Sequence, residues 1–169
     1  FFSNGLDLEW LMANPDRRKD YVVSVHRLFA RMLALPMPTV AALQGHTFAA
    51  GAMFSLAHDL RVMRADRGYW CLPEADINIP FPPAMSALIQ ARLAPRTAHE
   101  AMVTARRYGG HDAAAAGIVD RAVDEDAVRS TAIELARSLA SKDAATLGTI
   151  KSRMYAPALE LLRQDDPVL

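Results

Sequence analysis

The segment from Thr39 to Arg64, TVAALQGHTFAAGAMFSLAHDLRVMR, constrains the fold most. "TVAALQG" is a short apolar run that stops at Gly45, "AAGAMFSLA" is rich in small residues and reads as a buried helix, and "LRVMRA" is a second apolar run. Strand, helix and strand in so short a space predict an α/β domain. A helix beginning near Ala49 would aim unpaired backbone N–H groups at whatever lies before it, and its dipole favours negative charge there. Ala49, Ala50, Gly51 and Ala52 are small enough to let an oxygen approach that backbone. Two readings stay open: half of an oxyanion-binding site, or a helix whose small residues let it pack tightly on a sheet. No Gly-Lys-Ser/Thr follows, which argues against a nucleotide P-loop.

The chain opens "FFSNGLDL", which reads as the end of a buried strand, a turn and the start of a helix. A strand needs neighbours and none precede Phe1-Phe2, so the chain is expected to be the C-terminal part of a larger domain whose first strands are missing. Asn14-Pro15 has the form of an N-cap followed by proline at the first helical position. Val22, Val25, Leu28, Phe29, Met32 and Leu33 then recur at steps of three and four, predicting a long amphipathic helix up to Pro36-Met37-Pro38. "GYWCLPEADINIPFPP" holds four prolines and predicts a short strand entering a stiff loop. Beyond it, "AMSALIQARL" and "TAHEAMVTARRY" read as helices, "GIVDRAV" as a turn and strand, and 126–141 and 144–155 as two more helices. Helices dominate after Arg106-Arg107, so two parts are expected: 1–105 and a helical C-terminal lobe, 106–169.

Bulk composition excludes several classes. Lys+Arg and Asp+Glu number 19 each, so no overall field recruits nucleic acid or an anionic membrane. The apolar run from Phe48 to Ala57 is interrupted by Gly51 and Ser55 and falls well short of the roughly 20 residues of a membrane span. Cys71 is the only cysteine, which rules out an intrachain disulfide and suits a reducing compartment. The five histidines show no metal-ligand spacing, and no Gly-x-Ser-x-Gly elbow is present, so neither a metal site nor a serine nucleophile is expected.

Two further positions bear on chemistry. Gly5 permits an unusual backbone angle, and the N–H of Leu6 after it could point the same way as that of Ala50, although Asn4-Gly5 alone is an ordinary turn. Glu74 sits among Trp70, Leu72, Ile77, Ile79 and Phe81 in the proline-stiffened loop. A carboxyl desolvated by such neighbours titrates closer to neutrality, where a general base works best; a solvated loop glutamate is the alternative.

Taken together, "FFSNGLDL", "VAALQGHTFAAGAMFSLAHDLRVM" and "WCLPEADINIPFPPAMSALI" resemble, in order and spacing, the crotonase (enoyl-CoA hydratase/isomerase) superfamily. The first is similar to its F-x-x-G-x-D-L turn and the last to its loop with Pro-Glu. The resemblance covers roughly residues 1 to 155 and implies a repeated ββα spiral with a helical C-terminal lobe, in which 1–105 is the C-terminal part of the spiral core and 106–169 an oligomerisation lobe. It implies that Leu6 and Ala50 donate the two oxyanion N–H groups to a thioester carbonyl of an acyl-CoA and that Glu74 is the acid/base. Gly5, Ala49, Gly51, Met53, Trp70 and Phe81 would then line the substrate, and Lys151 would reach CoA phosphates. Hydratases of the family place a second glutamate where Met53 stands.

Water addition profits from two carboxylates, whereas moving a double bond needs one base that takes a proton at C2 and returns it at C4. "FFSNGLDL" and "WCLPE" also look like the Δ3,Δ2-enoyl-CoA isomerase branch, so the expected activity is isomerisation of a 3-enoyl-CoA. A hydratase, another crotonase reaction or a non-catalytic acyl-CoA-binding paralogue are the alternatives. Ala49-Ala50 departs from the family's glycine pair, and "INIPFPPAM" departs from its usual loop. The resemblance further implies no cofactor beyond the CoA of the substrate, a homo-oligomer (trimer or hexamer), and a cytoplasmic bacterial or peroxisomal setting. The ending "DDPVL" is no peroxisomal address.

Overall fold

A computed structural model describes residues 1–165; the tetrapeptide Asp166-Pro167-Val168-Leu169, which carries most of the C-terminal reading, lies outside the described residues. The chain runs through α1 (Leu8–Ala13), a 3-10 turn (Pro15–Arg17), α2 (Arg18–Leu33), β1 (Val40–Leu43), β2 (Thr47–Phe48), α3 (Ala50–Leu56) and β3 (Leu60–Arg64). It continues through β4 (Trp70–Cys71), a 3-10 turn (Pro73–Ala75), α4 (Pro83–Arg92), α5 (Pro95–Thr104), α6 (Gly110–Ala115) and β5 (Arg121–Val123). A last 3-10 turn (Glu125–Ala127) leads to α7 (Val128–Leu139), α8 (Ala144–Met154) and α9 (Ala156–Leu162). Among the described residues no helix is long and apolar enough to cross a membrane.

Both sheets are parallel. One has the order β1-β3-β5, with Val40 opposite Leu60 and Val62 opposite Arg121. The other pairs β2 with β4, Thr47 opposite Trp70, and is extended by single bridges from Ser3 to Thr47 and from Trp70 to Tyr108. The opening residues therefore join as one bridge: Phe2 and Ser3 donate to the carbonyl of His46, and Phe48 donates to that of Ser3.

The long helix begins differently from its sequence pattern. Asn14 turns its carboxamide back to the carbonyl of Trp10 at 2.9 Å, closing α1, so Pro15 opens a 3-10 turn and α2 starts at Arg18. The helix expected to run to Tyr108 stops at Thr104, because Ala105 takes a left-handed conformation and Tyr108 exchanges both backbone hydrogen bonds with Trp70 at 2.9 Å. Beyond 106 the chain is mostly helical but not set apart. β5 completes the β1-β3 sheet, α7 lays Val128 and Ala132 on Val62, and α9 seats Leu159 and Leu162 in the core that holds Phe29, Leu33, Leu56 and Leu88. Burying each leucine stabilises this arrangement by about 2 kcal/mol, so α9 binds the C-terminal segment to α2 and α4.

Candidate active site

Two backbone turns meet at the start of α3. The N–H of Ala49 is taken by the carbonyl of Cys71 at 3.1 Å, and the chain then reverses at Ala49, whose φ of 50° and ψ of −126° lie where glycine is usually found. No side chain caps α3, so the N–H of Ala50 lies at its open N-terminus. Gly5 has φ 99°, and a Cβ there would stand 2.8 Å from the Cβ of Ala49 and 3.1 Å from the nitrogen of Ala50. Only glycine fits, and its fit brings the turn at Gly5 against the backbone of Ala50. Gly51 serves the same contact from the other side: a Cβ would lie 2.6 Å from that of Ser3, so it seats the turn against α3 and does not line the cavity.

Leu6, Ala49 and Ala50 border a cavity of about 590 Å³. Its walls come from α1 (Leu8, Leu11, Met12), α2 (Arg18, Val22), α3 (Met53) and the loop that follows β4, including Phe81. Glu74 also lines it, 6 % exposed, with Oε2 free of any hydrogen-bond partner among the described residues. Burial pushes its carboxyl up to about 7. The loop holds this side chain through its own bonds: Asp76 and Ile77 donate to the carbonyl of Pro73, Ile79 donates to that of Glu74, and Asn78 takes a left-handed turn at φ 57°. Asparagine tolerates that conformation well. Met53 forms part of the same wall, and among the described residues Glu74 is the only acid that lines the cavity. Among the described residues no three His, Cys, Asp or Glu side chains stand together as a metal-ligand set.

Gly5, like Gly51, shapes the turn without lining the cavity, and two further residues expected at the substrate lie elsewhere. Trp70 is wholly buried behind α3, its indole donating to the hydroxyl of Ser55 at 3.0 Å, because β4 is an interior strand. Lys151 is 4 % exposed; its ammonium donates to Asp59 Oδ2 at 2.6 Å and to the carbonyls of Leu35 and Met37 at 3.0 and 2.8 Å. Those three acceptors use all three of its donors, leaving none for a phosphate.

Sequence patterns missed a second anchor of α3. Arg92 donates from Nε to the carbonyl of Leu56 at 2.8 Å and from Nη2 to those of His58 and Asp59, while Nη1 meets the hydroxyl of Tyr155. A guanidinium at the C-terminal end of a helix satisfies its orphan carbonyls and its dipole. Arg92 also ends α4, the helix directly after the loop of Glu74, so it ties α3 to the segment that carries the carboxyl. Leu8, Leu11 and Met12 were missed as well, although their spacing is that of one helical face.

Comparison with known proteins now adds to this geometry. The model of the family described as "Enoyl-CoA hydratase/isomerase" matches residues 1–165. Enoyl-CoA delta isomerase 3 of Arabidopsis thaliana is 39 % identical over 175 residues, covering 98 % of this chain and 72 % of that protein. Peroxisomal enoyl-CoA delta isomerase 2 of the same plant is 38 % identical over 151 residues, covering 84 % and 63 %. The crystal structure of human mitochondrial delta3-delta2-enoyl-CoA isomerase superposes with a TM-score of 0.86 at 27 % identity, covering 94 % of this chain and 62 % of that one.

Proposed function

The chain belongs to the enoyl-CoA hydratase/isomerase family, and from that premise we propose that it moves the double bond of a 3-enoyl-CoA to the 2-position. The thioester carbonyl oxygen accepts hydrogen bonds from the N–H groups of Leu6 and Ala50. The Glu74 carboxylate takes a proton from C2, and the electrons of that C–H bond delocalise through the C3=C4 double bond and the carbonyl as a dienolate. Glu74, now protonated, returns the proton to C4, which leaves the double bond between C2 and C3 in conjugation with the thioester. Each oxyanion donor contributes a few kcal/mol at the dienolate, where charge accumulates. The proposed reaction asks for no metal or redox cofactor.

One observation carries this reading: a single desolvated carboxyl, Glu74, shares an apolar cavity with the two backbone turns, and Met53 stands where a second acid would be needed to hold water. A carboxyl that titrates near neutrality can both accept and return a proton. Purified full-length protein given a trans-3-enoyl-CoA is expected to form the conjugated 2-enoyl thioester, seen by its ultraviolet absorbance. Glu74→Gln should lower kcat by about 10²–10⁴-fold while the ester still binds. Hydration of a 2-enoyl-CoA as fast as isomerisation would overturn the assignment in favour of a hydratase. We propose a homo-oligomer, for which the exposed Ile150 and Met154 on one face of α8 offer contact area.

A further inference from the structure

Among the described residues, two polar side chains besides Glu74 line the cavity, Asn4 and Arg18. Asn4 adjoins the Gly5 turn and belongs to the oxyanion wall. Arg18 belongs to another wall: it opens α2 four residues before Val22, so both lie on the helix face that fronts the cavity. Val22 and Leu11 are buried there, and Leu8 and Met12 continue the apolar surface to an exposed rim beside Arg18.

The Arg18 side chain has no hydrogen bond, ion pair or ring contact among the described residues, whereas that of its neighbour Arg17 lies over the Trp10 ring at 5.7 Å. Nor does α2 gain from it, since a cation in the first turn opposes the helix dipole. An alkyl tail laid along this wall would strip water from the guanidinium and return nothing. A tail ending in a carboxylate would replace that water with two parallel charge-assisted hydrogen bonds.

We propose that the α2 wall selects acyl groups that end in a carboxylate, so that the preferred substrates are ω-carboxy-3-enoyl-CoA esters read by Arg18. This rests on the isomerase reading for the reaction but is tested separately by binding. Two saturated acyl-CoA esters of equal carbon count, one ending in methyl and one in carboxylate, are titrated calorimetrically into the full-length protein and its Arg18→Met and Arg18→Lys variants. Arg18 is exposed, so both variants are expected to fold. The same titrations use pantetheine thioesters, which lack the CoA phosphates.

The preference for the carboxylate-ended ester is expected to fall about tenfold in Arg18→Met, one good charged pair at a partly exposed site, to be partly kept by Arg18→Lys, and to persist with the pantetheine esters. An unchanged preference in Arg18→Met overturns the proposal. So does an equal weakening of both CoA esters that vanishes with the pantetheine esters, which would place the guanidinium on the CoA phosphates. Arg18-dependent preference in binding without turnover of either 3-enoyl ester would sustain the ligand class and sink the isomerase reading instead.

Discussion

Glu74→Gln should separate the base's chemistry from its cost to the fold. The Glu74 carboxyl titrates at about 7, raised from an ordinary 4.5 by burial at 6 % exposure with one oxygen unpartnered. Because the folded value is raised, the stability that Glu74 contributes is fully present below the unfolded value and is lost as pH climbs through about 7. At about 1.36 kcal/mol per decade of proton affinity, the complete loss is about 3–4 kcal/mol, of which about 2–3 kcal/mol falls between about pH 5 and about pH 8.5. Glutamine cannot ionise. Any penalty from burying its amide is the same at both pH values, so it cancels when the wild-type–variant difference is compared between them. Urea unfolding at one protein concentration should therefore show the variant gaining about 2–3 kcal/mol on the wild type from the acidic to the alkaline condition. The kcat/KM of the wild type should rise with pH to a plateau with its midpoint near 7, because the base must be ionised to take the C2 proton. A wild-type–variant difference that does not change with pH would refute the desolvated-base reasoning at its root.

Three other substitutions probe the scaffold. Ala49→Gly relieves a backbone conformation at φ 50° and should stabilise the protein by about 1 kcal/mol, strain relief less glycine entropy, read as a rise of about 2–4 °C in Tm; a fall in Tm would show that Ala49 is unstrained. Lys151→Met leaves Asp59 without its 2.6 Å cation and should cost about 3 kcal/mol in urea unfolding, whereas intact stability with weakened CoA-ester binding would restore the phosphate role. Arg92→Met removes the donors to the carbonyls of Leu56, His58 and Asp59 and should lower kcat by about tenfold or more, one misplaced oxyanion donor, with a smaller change in KM. Loss of thermal stability with kcat unchanged would make Arg92 a purely structural residue.

Which residues were legible in the sequence follows from where their determinants lie along the chain. The turn at Gly5, the start of α3 near Ala49 and the loop around Glu74 are each set by neighbours within a few residues: a positive φ, a run of small side chains, four prolines. The resemblance to the crotonase superfamily then implied that Leu6, Ala50, Met53, Glu74 and Phe81 share one site, and all five line one cavity. Lys151 and Trp70 misled because their partners are remote. Lys151 finds Asp59 across 92 positions, and Trp70 is enclosed by pairing with Thr47 and Tyr108, which no local pattern announces. The same distance hid Arg92, whose guanidinium closes α3 from α4 and from Tyr155 in the C-terminal segment. An aliphatic stretch that will become cavity wall and one that will become core read alike along the chain, so Leu11 and Leu159 could be told apart only once α1 and α9 had taken their places. The turns at Gly5 and Ala49 can therefore be read from local residue choice, whereas the tie between α3 and α4 that holds the cavity wall depends on the long-range polar contacts of Arg92.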